Sequence, residues 1–95
     1  MKRFALFALL AASAFPVDAN ESLAQRYACA ACHQSDFRVG GPSWREISAR
    51  YKDTSQIAAS IRSGSSGKWG TIPMAPQPQV GDADLEKLAR WIAAR

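Results

Sequence analysis

Cys29-Ala30-Ala31-Cys32-His33 is the most informative stretch of this 95-residue chain. On a helix, its two cysteines and its histidine fall at positions i, i+3 and i+4 and project from one face. Two thiols can add to the vinyl groups of a haem as thioethers, while the adjacent imidazole ligates the iron. The C-x-x-C-H spacing therefore predicts covalent attachment of one haem c through Cys29 and Cys32, with His33 as an iron ligand.

Three other chemistries use closely spaced cysteines, and each fits this sequence less well. A thioredoxin-like C-x-x-C needs a βαβ setting, but the chain has almost no β-branched strand pattern. A structural zinc site needs four Cys or His ligands, whereas the sequence contains two cysteines and one histidine. A disulfide between Cys29 and Cys32 closes a very short loop and would stabilise little. A redox haem centre is the leading hypothesis.

Residues 1–19 have the pattern of a cleavable secretory signal peptide. A basic start precedes an apolar run over residues 4–15 that is too short to span a bilayer, and residues 17–19 form a small-x-small cleavage site. We expect cleavage at the end of this segment, with a cut after Ala14 and a retained membrane anchor as the alternatives. The predicted mature protein is a single domain over residues 20–95, exported to the periplasm and without a stable membrane anchor.

The mature segment is only mildly basic. Loss of Lys2, Arg3 and Asp18 takes the formal net charge from +4 to +3. Such a balance is too weak to indicate nucleic acid as a partner, and no interleaving of aromatic and basic residues supports such binding. We expect the cationic side chains, among them Arg38 and Lys68, to form a solvated surface.

The remaining sequence predicts an all-α protein of about four short helices, and Asn20 and Pro42 mark the first two starts. Asn20 is a good cap for a helix that runs into the haem motif, with Leu23 and Tyr27 on a buried stripe. Pro42 suits the first turn of a second helix, because proline lacks the amide hydrogen that is unused there. The inward positions of this second helix are Trp44, Ile47 and Tyr51.

Capping residues also mark the third and fourth helices. Asp53 with Gln56 resembles a capping box, and Gly64 is the expected end of the third helix. Asp82 and Asp84 favour the start of the fourth helix, because acidic side chains stabilise the positive end of the helix dipole. The inward positions of these two helices are Ile57, Ile61, Leu85, Leu88, Trp91 and Ile92.

Met74 lies between two prolines in the long loop 64–81. His33 is the only histidine, so the sixth position of the iron must be a methionine, an amine or open. Pro73 and Pro76 limit the backbone freedom that is lost when a loop is fixed over a cofactor. A methionine can instead simply fill core space. Because His/Met is a standard axial pair in electron-transfer cytochromes, we favour Met74 as the sixth ligand.

Several motifs, in order, resemble the small class I c-type cytochromes, in particular the bacterial cytochrome c-551/c-552 group. They are the haem motif at 29–33, Val39-Gly40-Gly41-Pro42, Gly67-Lys68-Trp69-Gly70, Ile72-Pro73-Met74 and Leu88-Ala89-Arg90-Trp91. The resemblance implies a small class I cytochrome c fold around one haem, ligated by His33 and Met74. It also implies that the Pro42 carbonyl accepts the Nδ1 proton of His33, and that the Trp69 indole donates to a haem propionate.

The sequence departs from this family pattern at four places, the first being a segment between Tyr51 and Ile57 that is shorter than in many relatives. Residues 39–42 contain an extra glycine, and Gln77 lies near the place of the usual asparagine beside the ligand methionine. Ser60 occupies the position of a basic residue that often helps to hold a propionate, while Arg62 lies one helical step away. These departures preserve the ligand pair and concern the propionate contacts.

The predicted function is soluble one-electron transport between respiratory complexes. The family suggests a quinol-oxidising complex as donor and a terminal oxidase or nitrite reductase as acceptor, with the carrier a monomer. One alternative is a haem-bearing subunit of a larger redox complex. A second is a haem enzyme with peroxidase-like activity through a displaceable Met74. The sequence offers no distal histidine and no paired carboxylates near Met74, so we expect no catalytic residues.

Overall fold

The computed structural model describes residues 19–95, and the predicted leader lies outside this region apart from Ala19. Within it there are four α-helices, α1 (Ala19–Arg26), α2 (Trp44–Arg50), α3 (Thr54–Ser63) and α4 (Asp82–Ala93), and a 3₁₀ turn at Cys29–Ala31. The described chain contains two isolated β-bridges, His33 with Arg38 and Ser65 with Met74, and no strand. The all-α prediction is confirmed. In the same region, no helix has both the length and the apolar character to cross a membrane.

The first helix ends before the haem motif. Ala28 has φ 60° and ψ 21°, a left-handed conformation that stops the α-helical hydrogen bonds. The prediction of one helix continuing into the motif is therefore wrong, and so is Asn20 as its cap, since Asn20 lies inside α1. An alanine carries no sequence signal for this conformation, because non-glycine residues rarely adopt it.

A capping box begins the second helix. The Ser43 hydroxyl accepts from the Glu46 amide at 3.1 Å, and the Glu46 carboxylate accepts from the Ser43 amide at 3.3 Å. Pro42 consequently precedes the cap and does not lie in the first turn as predicted. The reciprocal pair satisfies two free amides at the helix start, and this fixes where α2 begins.

The third helix begins at a simpler cap and ends at a glycine. The Asp53 carboxylate accepts from both the amide and the hydroxyl of Ser55, at 2.9 and 2.7 Å. The predicted box with Gln56 does not form. Gly64 ends the helix, as predicted, with φ 71° and ψ −178°, a conformation that is essentially restricted to glycine.

The core is built around α4, which packs against α1, α2 and α3. Leu88 at its centre is fully buried, and Trp91 meets Trp44 edge to face at a centroid distance of 5.3 Å. The buried apolar residues are Ala24, Trp44, Ile57, Ile61, Val80, Leu88, Ala89, Trp91 and Ile92. The predicted inward positions that are only partly buried are Leu23, Tyr27, Ile47, Tyr51 and Leu85. Ala24, not its larger neighbours, is the fully buried residue of α1.

One side chain fastens the long loop to the start of α4. The Arg62 guanidinium donates to the carbonyls of Pro78 and Val80, the latter at 2.6 Å, and pairs with Asp82 at 2.8 Å. Because Arg62 is engaged here, it does not line the cleft described next. The loop is thus fixed at its C-terminal end, while its N-terminal part remains over the cleft.

Candidate haem site

A cleft of about 580 Å³ opens between the haem motif, α2, α3 and the loop 64–81. All six residues predicted for the site line it: Cys29, Cys32, His33, Pro42, Trp69 and Met74. Core residues of three helices form its apolar wall: Trp44, Ile57, Ile61, Leu88 and Ile92. This volume lies within the range of about 300–1,000 Å³ that is common for cofactor sites.

The lining fits a large apolar cofactor. Val39 and Ile72, exposed by 57% and 71%, both line the cleft, so a bound planar ring system has apolar side chains to cover. None of the lining residues in the described chain is an aspartate or glutamate. The acidic groups of such a cofactor therefore meet no like charge inside the cleft.

The haem motif forms a tight turn along the cleft wall. The amides of Cys32 and His33 both donate to the Cys29 carbonyl, at 3.1 and 3.0 Å. This turn brings the two thiols and the imidazole to one cleft, as the helical spacing predicted, although the element is a 3₁₀ turn. Cys29 is half-buried, and this burial raises the pKa of its thiol, whereas Cys32 is exposed. Neither cysteine forms a disulfide.

The His33 ring is held in one orientation. Its Nδ1 lies 2.7 Å from the Pro42 carbonyl, which can only accept, so Nδ1 donates and the Nε2 lone pair remains available to a metal. The ring stacks on Trp44 at a centroid distance of 4.8 Å. A side chain at Gly41 would place its Cβ 2.9 Å from His33 Cε1, so the close approach of the loop requires glycine there.

Met74 is positioned by the end of α3. Its amide donates to the Ser65 carbonyl at 2.8 Å, and the Ser65 amide donates to the Met74 carbonyl at 3.1 Å. A Cβ at Gly64 would lie 2.5 Å from the Met74 carbonyl oxygen and 2.8 Å from the Pro76 nitrogen. Gly64 and Ser65 thus position the loop, and sequence patterns gave no signal for Ser65.

Trp69 is surrounded by aromatic and cationic side chains at the edge of the cleft. Its ring meets Tyr51 edge to face at 6.2 Å, and the Arg50 and Arg38 guanidinium groups lie 4.7 and 5.7 Å from it. Arg38 and Lys68 are exposed, as expected for a solvated surface, but both also line the cleft. Only the folded loops bring these distant positions together, and this is why the sequence did not reveal the cluster.

Comparisons with known proteins agree with this geometry. The family model described as cytochrome c oxidase, cbb3-type, subunit III matches residues 16–92. Cytochrome c-552 of Nitrosomonas europaea is 45% identical over 94% of this chain and 88% of its own length. Cytochrome c-551 of Pseudomonas aeruginosa is 33% identical over 100% of this chain and 99% of its own length. The crystal structure of wild-type Nitrosomonas europaea cytochrome c552 is 44% identical, with a TM-score of 0.74, and covers 78% of this chain and 96% of that one.

These matches cover most of the chain and most of each relative, and they coincide with an apolar cleft lined by a C-x-x-C-H motif. Identities of 45% and 33% with relatives matched over 88% and 99% of their own lengths show the family of this sequence. The chain therefore belongs to the small c-type cytochromes of the c-551/c-552 group, haem-binding proteins of electron transport with one covalently bound haem c.

Proposed function

We propose that this protein carries single electrons on a haem whose axial ligands are His33 and Met74. The observation that carries the proposal is that both residues line one cleft, the imidazole of His33 and the main chain of Met74 each being held by a hydrogen bond. His33 Nδ1 lies 2.7 Å from the Pro42 carbonyl, and the Met74 amide lies 2.8 Å from the Ser65 carbonyl. The bound haem supplies an iron that alternates between the ferrous and ferric states.

The residues around the iron site act by holding position. Cys29 and Cys32 attach the cofactor through thioethers, and the Pro42 carbonyl orients the imidazole of His33 and increases its basicity. The indole of Trp69, at the cleft edge, donates to a haem propionate. Ligands that keep one geometry in both oxidation states keep the reorganisation small, which favours rapid electron exchange.

In this proposal the protein is an electron carrier and not a catalyst. Activation of a bound substrate needs an open coordination site and nearby acid or base groups. Within the described residues, no carboxylate lines the cleft, and the single histidine has its Nδ1 bonded to Pro42. A peroxidase-like enzyme that displaces Met74 is the alternative.

We further propose that residues 1–19 are a signal peptide and that the mature monomer works in the periplasm. A quinol-oxidising complex is the proposed donor, with a terminal oxidase or nitrite reductase as acceptor. The matching family model names an oxidase subunit, which keeps a haem-bearing subunit of a complex as the second candidate. The small cytochromes c-552 and c-551, matched over 88% and 99% of their own lengths, support the carrier.

The test is Met74→Ala in the haem-containing protein. The wild type should show the weak charge-transfer band of methionine-ligated ferric haem and should bind carbon monoxide poorly when reduced. The variant should lose the band, bind carbon monoxide, and fall in reduction potential, because the soft thioether no longer favours ferrous iron. Ile72→Ala, in the same loop and equally part of the lining, is the control and should keep the band. An unchanged spectrum in Met74→Ala would mean that an amine is the ligand.

Activity separates the carrier from the enzyme. We expect the wild type to exchange electrons rapidly with a redox partner and to have negligible peroxidase turnover, whereas Met74→Ala should gain peroxidase activity. Substantial wild-type turnover with Met74 bound at rest would assign the protein to the enzyme alternative.

A further inference from the structure

Cationic side chains cluster at one edge of the haem cleft without a full set of counter-ions. We call this cluster the Trp69 corner, and its members are Arg38, Arg50, Tyr51, Lys68 and Trp69. The Arg50 guanidinium donates to the Lys68 carbonyl at 2.6 Å and lies 4.7 Å from the Trp69 ring centre. The Lys68 ammonium lies 5.7 Å from the ring centre of Tyr51. Three positive charges from three segments therefore meet beside the cleft.

Only one of the three charges is matched by a carboxylate. Arg38 donates to Glu46 through Nε at 2.9 Å and through Nη2 at 2.7 Å, and this pairing lowers the pKa of the Glu46 carboxyl. Among residues 19–95, no carboxylate lies within the 4.0 Å ion-pair distance of Arg50 or Lys68. The Trp69 corner thus carries an excess of two positive charges in the protein itself.

This excess faces a cleft that receives an acidic cofactor. Haem c carries two propionate carboxylates, and the cleft lining includes Arg38 and Lys68 but no acidic residue. Ser60, where the family resemblance expects a basic residue for a propionate, also lines the cleft and brings no charge. Ser60 and Lys68 also both line a smaller hollow of about 280 Å³. Lys68 thus brings to the cleft lining a positive charge that Ser60 does not provide.

We propose that Lys68 is the counter-ion of a haem propionate at the Trp69 corner and replaces the basic residue that the resemblance expects at position 60. Arg50 is a positioning residue, because it holds the Lys68 main chain and stacks on Trp69. The inference rests on the haem site proposed above. An ammonium beside a carboxylate favours the ionised form, so Lys68 should keep the propionate charged to lower pH.

A titration of the haem propionates must be distinguished from the titration of other groups near the cleft. Those that line it are Tyr27, Cys29, Cys32, His33, Arg38, Tyr51 and Lys68. Behind them, Glu46 pairs with Arg38, Asp84 accepts from Tyr27, and Arg50 bonds to the Lys68 main chain. The propionates are thus the acidic groups of the loaded cleft, because the described lining contributes no carboxylate.

The experiment is a pH titration of the haem-containing wild type and Lys68→Gln. Haem-substituent NMR resonances and the midpoint potential are followed together. In Lys68→Gln, the propionate should protonate about one pH unit higher, the order of shift that one nearby opposite charge produces. Arg50→Gln should move it in the same direction by less, and Lys68→Arg should restore the wild-type titration. Lys87→Gln removes one exposed lysine of α4 that does not line the cleft, and it should leave the titration unmoved.

A Lys68→Gln propionate titration that matches that of Lys87→Gln overturns the inference, because Lys68 would then affect the propionate no more than a lysine outside the cleft. A Lys68→Arg variant that fails to restore the shift overturns it equally. The proposed His33/Met74 ligation is tested by a different measurement. A wild type without the methionine charge-transfer band contradicts that ligation whatever the titration shows. An intact band with an unmoved propionate contradicts the Lys68 assignment alone.

Discussion

Gly64 and Gly41 lie where any side chain would collide with a residue that we propose as an axial ligand. At Gly64 the added carbon would be 2.5 Å from the Met74 carbonyl, and at Gly41 it would be 2.9 Å from His33 Cε1. The first contact is with main chain, which moves only if the loop moves, while the second is with a ring. Both glycines therefore fix the approach of a loop that carries or supports a proposed ligand.

Gly64→Ala should displace the Met74 loop. The chain has φ 71° and ψ −178° at this residue, so the variant combines backbone strain of about 1–3 kcal/mol with a clash against Met74 and Pro76. We expect weakening or loss of the methionine charge-transfer band and a lower midpoint of chemical unfolding.

Gly67→Ala is the matched control for this prediction. It has nearly the same backbone angle, φ 74°, but nothing lies within 4 Å of its added carbon. It therefore introduces a side chain at a positive φ without the clash, and it should keep the band. Equal spectra for the two variants would show that crowding at Gly64 does not position Met74.

Among single residues, those that could bind a haem were predictable from their side-chain chemistry, whereas those that position them through contacts between distant segments were not. Cys29, Cys32, His33 and Met74 were named from motif spacing and from the shortage of other ligands, and all four line the cleft. Ser65 and the Arg38–Glu46 pair were missed, because their contacts join segments that only the folded loops bring together.

Among the elements, α1 and α4 are joined by a polar contact as well as by packing. Tyr27 is the first residue after α1. Its hydroxyl donates to the Asp84 carboxylate of α4 at 2.6 Å. This hydrogen bond, together with burial, raises the pKa of Tyr27. The contact lies next to Ala28, where the chain leaves the helix and enters the haem motif.

Tyr27→Phe should destabilise the protein in a pH-dependent way. Because the folded protein raises the pKa of Tyr27 above its ordinary 10.0, the contribution is complete below pH 10 and is lost as the pH rises through the raised value. The difference in free energy of unfolding between wild type and variant should be constant near neutrality and shrink in alkali.

Asp84→Asn supplies the partner variant for this test. A double-mutant cycle of Tyr27→Phe and Asp84→Asn should give a coupling energy that disappears at the same alkaline pH. A coupling of zero at neutral pH, or one that persists unchanged in strong alkali, contradicts the role given to this hydrogen bond.

Helix interiors were easier to predict than helix starts. Ile57, Ile61 and Leu88 follow an apolar period, and they are buried as expected. Two of the missed boundaries, the end of α1 and the start of α2, depend on local conformations of one or two residues, the left-handed Ala28 and the Ser43 box. The Ser43-x-x-Glu46 spacing is a sequence signature that the prediction overlooked, whereas the left-handed Ala28 has no sequence signal.

For the molecule as a whole, the core and the cofactor cleft share their walls. Trp44, Ile57, Ile61, Leu88 and Ile92 belong both to the buried cluster and to the lining of the cleft. A domain as small as residues 19–95 buries a smaller fraction of its surface than a larger domain does, so an additional apolar mass or a covalent link contributes much to its stability. Haem attachment is therefore expected to be part of folding.

Replacing both Cys29 and Cys32 by alanine should leave the chain poorly folded. We expect lower helicity by circular dichroism and loss of a cooperative thermal transition, because the cleft walls lose their covalently held partner. Acid-acetone should leave the haem on the wild-type polypeptide. Cys32→Ala alone keeps one possible thioether and is the control of intermediate effect. A double variant that melts cooperatively at the wild-type temperature would contradict this dependence.

The placement of the three tryptophans also has an optical consequence. Trp44 and Trp69 line the cleft, and Trp91 lies 5.3 Å from Trp44, so every indole of the chain is close to the haem position. Haem absorbs at the wavelengths at which indole emits, and energy transfer over such distances is efficient. The folded holoprotein should consequently be almost dark in tryptophan fluorescence, and emission that grows during denaturation should measure how far the chain has separated from its chromophore.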